Sequence, residues 1–142
     1  MIDYWPSISP AHRAGLASPH FASGTPLHSQ VHAAAPDYYH YNGEGAPTPV
    51  GGWDLMASNG NPPQYPSAFT KWKYFDWIDF IPEIIEGGTY TLFPMTQQEN
   101  VAYKVASPNS DSEYFVLEYR KQEGVYESNL PGIRSGLLVY RV

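Results

Sequence analysis

In the second half of the chain, four short runs alternate apolar and polar residues with the period of a β-strand. Strands that alternate in this way have one face against a core and one face towards water. Residues typical of turns separate the last three runs, so successive strands can pair directly. The pattern therefore predicts an antiparallel sheet of about four strands, formed by the runs 89–93, 101–105, 113–121 and 137–142.

The alternation also assigns side chains to faces. Val101, Tyr103 and Val105 share one face of their run, and the third run has the same arrangement in Phe115, Leu117 and Tyr119. Glu118 and Arg120 then lie together on the opposite face, at the distance of an ion pair. Exposed ion pairs contribute only about 0–1 kcal/mol to stability, so we interpret this strand as scaffold.

Between residues 36 and 66 the chain is dominated by glycine, proline and asparagine turn signals. We predict a long ordered loop region there, anchored by its aromatic and apolar side chains. Pro66-Ser67 is a good helix start, and a short helix is predicted at about 67–76. In that helix Phe69, Trp72 and Tyr74 can turn inward while Lys71 and Lys73 face water. The fold class is therefore α+β.

Residues 1–35 differ in composition from the rest of the chain. They are rich in proline, alanine, serine and histidine and have no sustained period. Such a segment buries little apolar surface, so we predict a disordered or weakly helical arm, with a short helix at about 26–35 after the cap at Thr25. The domain proper is predicted to span residues 36–142.

Composition excludes several classes of function. The 142 residues carry a formal charge of −6, and the eight lysines and arginines are scattered, which argues against nucleic acid as a partner. No apolar run of membrane-spanning length and no basic amphipathic stretch occurs, so no membrane partner is expected. Without cysteine, disulfides and thiolate metal sites are excluded. The first residues lack the pattern of a secretory signal.

One histidine pair in the arm has metal-ligand spacing. On a helix, His28 and His32 would lie on one face, roughly 6 Å apart, which suits two ligands of one zinc ion. Asp37 follows the helix end and can supply a third ligand. Hydrolysis would also need a carboxylate beside the first histidine to take a proton from zinc-bound water, and Ser29 occupies that position. The alternative is that the pair is a coincidence in a histidine-rich arm.

A second motif is the stretch Gly51-Gly52-Trp53-Asp54-Leu55-Met56. Its glycines and large apolar side chains predict a tight, buried turn. One interpretation is a methionine-containing turn that forms an apolar floor under a catalytic zinc. The other is a loop anchored in an ordinary core by Trp53 and Met56.

The order of the motifs resembles the immune inhibitor A family of zinc metallopeptidases. The resemblance covers residues 36–142 and rests on five motifs in series: Pro36-Asp37-Tyr38-Tyr39, Gly52-Trp53-Asp54-Leu55-Met56, the 66–73 segment, the 113–120 strand, and Leu130-Pro131-Gly132 followed by 136–141. It implies the C-terminal part of a metzincin-like, extracellular catalytic domain that hydrolyses peptide or protein substrates with zinc. In that family the motif H-E-x-x-H-x-x-G-x-x-D binds the metal.

By this resemblance Asp37 is the third zinc ligand and Met56 the methionine turn, while His28 and His32 match only the histidine spacing. The sequence departs from the family motif in three ways. Ser29 replaces the glutamate base, the family glycine is absent, and four residues rather than five separate His32 from Asp37. Residues 1–35 resemble nothing upstream in the family, which a frameshifted or mis-started gene would explain.

The expected function is therefore that of an incomplete zincin-like domain, a metallopeptidase fragment without activity of its own that lacks the N-terminal half of the catalytic domain. A rival hypothesis is a non-catalytic module whose twelve tyrosines and four tryptophans bind carbohydrate or a protein partner. Buried tryptophans would identify the aromatics as core, whereas a row of exposed rings on one sheet face would favour the binding module. A non-functional gene fragment is the third reading.

Overall fold

The structure, a computed structural model, describes residues 50–57, 63–97, 99–132 and 135–142. The predicted arm at 1–35, its short helix, and the first part of the predicted loop region lie outside the described residues. In the described part of the chain the fold is α+β, as the sequence predicts, with one short helical segment packed on an open antiparallel sheet.

The sheet has three strands in the order β1-β2-β3, namely β1 (Ala102–Ala106), β2 (Tyr114–Arg120) and β3 (Gly136–Arg141). All pairings are antiparallel, and Leu117 in β2 lies opposite Tyr103 on one side and Val139 on the other. Tyr114 and Val142 exchange two backbone hydrogen bonds, which extend the β2–β3 ladder by one pair. Three of the four predicted runs are therefore strands.

The fourth predicted strand, 89–93, is not found among the described residues. The outer edge of β1 is already occupied by the segment before it. Ile84 donates a backbone hydrogen bond to Lys104, and Lys104 donates one to Pro82, at 2.9 and 2.8 Å. Residues 89–93 are irregular, and within the described residues only Phe93 of this run forms a backbone–backbone hydrogen bond, to Asn100 at 2.9 Å. The alternating sequence suits an extended conformation, but the outer edge of β1 is already occupied and cannot pair with it.

The predicted helix at 67–76 is confirmed, in two parts. An α-helical turn, α1 (Ala68–Thr70), continues into a π-helical turn, Lys71–Phe75. Ser67 caps the start with its hydroxyl, which accepts a hydrogen bond from the Thr70 amide, and Asp76 ends the segment in a left-handed conformation with φ of 54°. Among the described residues no helix is long and apolar enough to cross a bilayer.

The core lies between this helical segment and one face of the sheet. Its buried members are Ala68, Ile81, Met95, Val101, Ala102 and Val116. On β2 the buried residues alternate as Val116, Glu118 and Arg120, and none of the three is exposed to solvent. The predicted face of Phe115, Leu117 and Tyr119 is confirmed, and the more deeply buried face of β2 is the one that carries the charged residues. The assignment of Val101 to the face of Tyr103 and Val105 is wrong, because Val101 precedes β1 and packs into the core beside Ala102.

Candidate functional site

Most of the predicted site lies outside the described residues. This applies to His28, Ser29, His32 and Asp37, so the proposed metal ligands and the serine in the base position remain predictions. Within the described part of the chain, no group of three histidine, aspartate or glutamate side chains is placed to hold a metal ion. Met56 is described, and it is the starting point for the site.

Met56 lies in a turn that is completely shielded from solvent. The residues Asp54, Leu55, Met56 and Ala57 are between 0 and 3% exposed. A 3₁₀ turn, Gly51–Trp53, leads into them, and Gly51 has a φ of 56° that favours glycine. Gly52 packs so closely that an added Cβ would lie 2.9 Å from Cγ of Pro131. The prediction of a tight, buried turn around the glycines is confirmed.

The carboxylate of Asp54 holds this turn against the helix. Its Oδ1 accepts a hydrogen bond from the amide of Met56 at 2.8 Å. Its Oδ2 accepts from the amide of Ser67 at 2.8 Å and from the hydroxyl of Thr70 at 3.0 Å. All four residues are buried. Asp54 therefore fixes both the conformation of the buried turn at 54–57, which we call the methionine turn only because it contains Met56, and its position at the start of α1.

A buried arginine connects the same turn to the sheet. Arg120 donates from Nε and Nη2 to both carboxylate oxygens of Glu127, at 2.8 and 2.7 Å, in a bidentate pair. Its Nη1 donates to Glu118 at 2.9 Å and to the carbonyl of Trp53 at 2.8 Å. A longer bond of 3.3 Å reaches the carbonyl of Tyr65. The predicted Glu118–Arg120 pair thus exists, but it is fully buried.

Glu118 also caps the helical segment from the sheet side. Its Oε2 accepts from the amide of Ala68 at 2.7 Å and from the hydroxyl of Tyr140 at 3.0 Å. The Tyr140 hydroxyl in turn accepts from the amide of Phe69 at 3.1 Å. Burial, followed by the negative charge of Glu118, raises the pKa of Tyr140 well above 10. At neutral pH this tyrosine is a neutral donor in the centre of the network.

Two charged groups in this network have shifted ionisation. Burial alone would lower the pKa of Arg120, but the carboxylates of Glu118 and Glu127 outweigh it, and the pKa lies above its ordinary value. For Lys71 the influences that lower the pKa outweigh those that raise it. Burial, and next the charge of Arg120, lower the pKa of Lys71 to about 8, although Glu118, Glu127 and Asp54 act in the other direction. We refer to Asp54, Lys71, Glu118, Arg120 and Glu127 as the ionic cluster.

Sequence reasoning missed parts of this cluster. The prediction that Lys71 faces water is wrong. Its side chain passes inward, and its ammonium donates a hydrogen bond to the carbonyl of Met95 at 3.0 Å. Lys73, two residues on, is exposed as predicted. Glu127 stands in an irregular segment with no period to mark it as buried. The available signal was Glu118 and Arg120 at alternate positions of an apolar strand.

The chemistry of the cluster is that of an anchor. Each of the three carboxylates accepts at least three hydrogen bonds, so none is presented to a substrate as a free base. Isolated buried charges are very costly, and a network in which every buried carboxylate is hydrogen-bonded is one of the few ways to retain them. What the network does is hold the methionine turn, the start of α1 and β2 in one fixed arrangement.

The burial of the tryptophans does not distinguish a core role from a role in a binding surface. Trp53, Trp72 and Trp77 are each half-buried. Phe69 packs edge-on against Trp72 with ring centroids 6.2 Å apart, and Phe75 lies 4.8 Å from Trp77. These pairs extend the core towards the surface.

The sheet face away from the helix is apolar and open. By register its apolar residues are Tyr103, Val105, Phe115, Leu117, Tyr119, Leu137 and Val139, which we call the open sheet face. The charged side chain of Arg141, opposite Phe115, borders this face. Leu137 and Val139 are 58% and 52% exposed, and the rest are half-buried. Exposed apolar patches of this kind usually mark a surface that another partner or another part of a protein covers.

The chain matches no protein-family model, and searches of curated proteins and of solved structures gave no match either.

Proposed function

We propose that residues 36–142 are the C-terminal part of a zinc metallopeptidase catalytic domain, and that this chain has no peptidase activity of its own. The observation that carries the proposal is the anchoring of Met56. An ordinary core methionine needs only apolar neighbours, whereas this one sits in a turn fixed by Asp54 on one side and by Arg120, through the Trp53 carbonyl, on the other. A rigid apolar floor under a metal requires a turn of this kind.

The lack of activity follows from the residues beside the predicted ligands. Zinc-dependent hydrolysis needs a carboxylate to accept a proton from the metal-bound water, and Ser29 stands where that carboxylate is needed. The zinc itself would be held by Asp37 with His28 and His32. The open sheet face supports an incomplete domain, since it would be covered by the N-terminal half of the catalytic domain.

Activity is tested by incubating the purified chain with casein or gelatin and added zinc. We expect no hydrolysis above that of a blank. Hydrolysis that a chelator abolishes and zinc restores would overturn the claim of inactivity. A Ser29→Glu variant, which restores the glutamate of the family motif, tests whether the missing base is the reason. Zinc affinity is measured on the same samples by calorimetry, with His28→Ala and Asp37→Ala as controls.

The family assignment has an independent test in the gene. Reading the nucleotides upstream of the Pro36 codon in all three frames should reveal codons for H-E-x-x-H in a different frame. Their absence from every frame would remove the frameshift explanation of residues 1–35, and with it the link between this chain and an intact active-site helix.

A second candidate function is a binding module, and the open sheet face favours it. Tyr103, Phe115 and Tyr119 place three rings among its aliphatic side chains, a combination that can stack on sugar rings or pack on a partner protein. Retention on insoluble polysaccharides such as chitin or cellulose tests the carbohydrate case. If the chain is retained and Tyr119→Ala abolishes retention, the binding module replaces the metallopeptidase proposal. Equal retention of the wild type and the Tyr119→Ala variant would exclude stacking of sugar rings on this face.

A further inference from the structure

A small cavity lies between the π-helical turn and the segment that leads into β1. Its volume is about 110 Å³, and since roughly 10–15 Å³ already admits one water molecule, it has room for a ligand of several heavy atoms. The lining combines aromatic, aliphatic and polar side chains: Tyr65, Trp77, Ile78, Met95, Thr96, Gln97 and Val101. Lys71 completes it, and is only 6% exposed.

The ammonium of Lys71 retains an unused donor at this cavity. One N–H bonds to the carbonyl oxygen of Met95 at 3.0 Å. The Nζ also lies 4.2 Å from the ring centroid of Tyr65, in a cation–π contact. An ammonium has three donors, and within the described residues no other acceptor oxygen receives a bond from Nζ. Met95 and Tyr65 both line the cavity, so the remaining donor is at its wall.

Charge selects the kind of ligand that this donor can take. The ionic cluster opposes three carboxylates, Asp54, Glu118 and Glu127, to the two cations Arg120 and Lys71. Its formal charge is already negative, so a dianion such as hydrogen phosphate would be repelled more strongly than a monoanion. A monoanion adds the least negative charge that still gives a charge-assisted hydrogen bond with the ammonium. The aliphatic and indole walls favour a ligand with a short apolar tail.

We propose that this cavity binds a small monocarboxylate, whose carboxylate accepts a hydrogen bond from the Lys71 ammonium while its tail packs against Trp77, Ile78 and Val101. The proposal does not depend on the metallopeptidase assignment, because neither the predicted metal ligands nor Met56 lines the cavity. Its ligand is either a free short-chain acid or the C-terminal carboxylate of a peptide, and the experiment separates the two.

Binding should depend on pH in a defined direction. The carboxylate binds the protonated amine, and burial lowers the pKa of Lys71 to about 8. The charged groups that act on this amine are Arg120, Glu118, Glu127 and Asp54, and Tyr65, whose pKa burial raises, faces it from the cavity wall. Affinity should therefore fall by about 30-fold between pH 7 and pH 9.5, by proton linkage to the Lys71 amine.

The experiment titrates the full chain with butyrate and, separately, with acetyl-alanyl-valine. Binding is followed by nitrogen-edited NMR of the lysine ammonium groups and of the tryptophan indoles. We expect saturable shifts of the Lys71 and Trp77 signals in the millimolar range. Lys71→Met should abolish the response, whereas Lys73→Met, the same substitution at an exposed position two residues away, should leave it unchanged. The tighter of the two ligands identifies the source of the carboxylate.

Three results would overturn the proposal: equal responses in wild type and Lys71→Met, phosphate binding as tightly as butyrate, or no saturation with either carboxylate. The measurement of butyrate affinity against pH needs no variant, so it remains decisive if Lys71→Met fails to fold. Constant butyrate affinity from pH 7 to pH 9.5 in the wild type would also exclude the Lys71 ammonium as the binding group.

Discussion

Glu127→Gln is the substitution that most directly tests the structural role of the ionic cluster. Glu127 is 1% exposed and accepts three hydrogen bonds, two from Arg120 at 2.8 and 2.7 Å and one from the amide of Tyr65 at 3.0 Å. Glutamine has nearly the same shape but carries no charge and presents one amide group as a donor. That group would face an arginine donor, so one of the two arginine bonds is lost and replaced by a repulsive contact.

The expected cost follows from leaving a buried charge partly uncompensated. Removing one partner of a buried ion pair costs about 3–5 kcal/mol, because the other partner stays desolvated. Arg120 retains its bond to Glu118 at 2.9 Å, which favours the lower end of this range. We therefore expect a loss of about 3 kcal/mol, a large fraction of the roughly 5–15 kcal/mol that stabilises a typical domain.

The loss is measured by urea unfolding, followed by tryptophan fluorescence. Glu123→Gln is the matched control. Glu123 also pairs with a cation, Lys121 at 2.6 Å, but both side chains are more than 40% exposed, so the loss should be much smaller than for Glu127→Gln. Similar losses for the two variants would refute the reasoning, since burial would then not set the value of the pair.

Three further predictions concern other parts of the structure. Because the pKa of Lys71 falls from 10.5 to about 8 on folding, the folded state binds fewer protons than the unfolded state between these values, and stability should rise by about 2 kcal/mol from pH 8 to pH 10 in wild type but not in Lys71→Met. Above pH 10 the raised pKa of Tyr140 has the opposite effect, and urea unfolding at each pH measures both. Asp54→Asn should cost about 2–3 kcal/mol in thermal or urea unfolding, because one acceptor of the methionine turn becomes a donor, whereas the same change at the exposed Asp79 should be within about 0.5 kcal/mol of wild type. Leu137→Lys on the open sheet face should leave the urea unfolding midpoint unchanged, since Leu137 is 58% exposed; a lower midpoint would show that this residue is packed.

Some of this architecture was predictable because it depends on local patterns. The alternation around Tyr103 and Leu117 predicts strands without knowledge of their partners, and Pro66-Ser67 predicts a helix start from capping chemistry alone. The glycines before Trp53 similarly predict the tight turn. No strand forms at residues 89–93, because strand formation needs a free neighbouring edge and the segment around Ile84 already occupies the edge of β1. No local pattern contains that information.

The candidate site, too, was predictable from the sequence only in part. Its resemblance-based residues His28, Ser29, His32 and Asp37 lie outside the described residues, so they stay predictions. Glu118 and Arg120 were identifiable as a pair from their spacing on β2, and the structure confirms the pair. Their burial was not identifiable, since it depends on Glu127, seven residues beyond Arg120, and on a turn more than sixty residues before it.

By itself, then, the sequence determined the kinds of local structure: where the chain extends, where it turns, where a helix begins, and which side chains share a face. Only the tertiary structure decided which face of β2 is covered, that Lys71 points inward, and that the methionine turn is held by Asp54 and Arg120. The physical reason is that backbone conformation responds to neighbours a few residues away, whereas the burial of a charge depends on whether distant partners can replace its water.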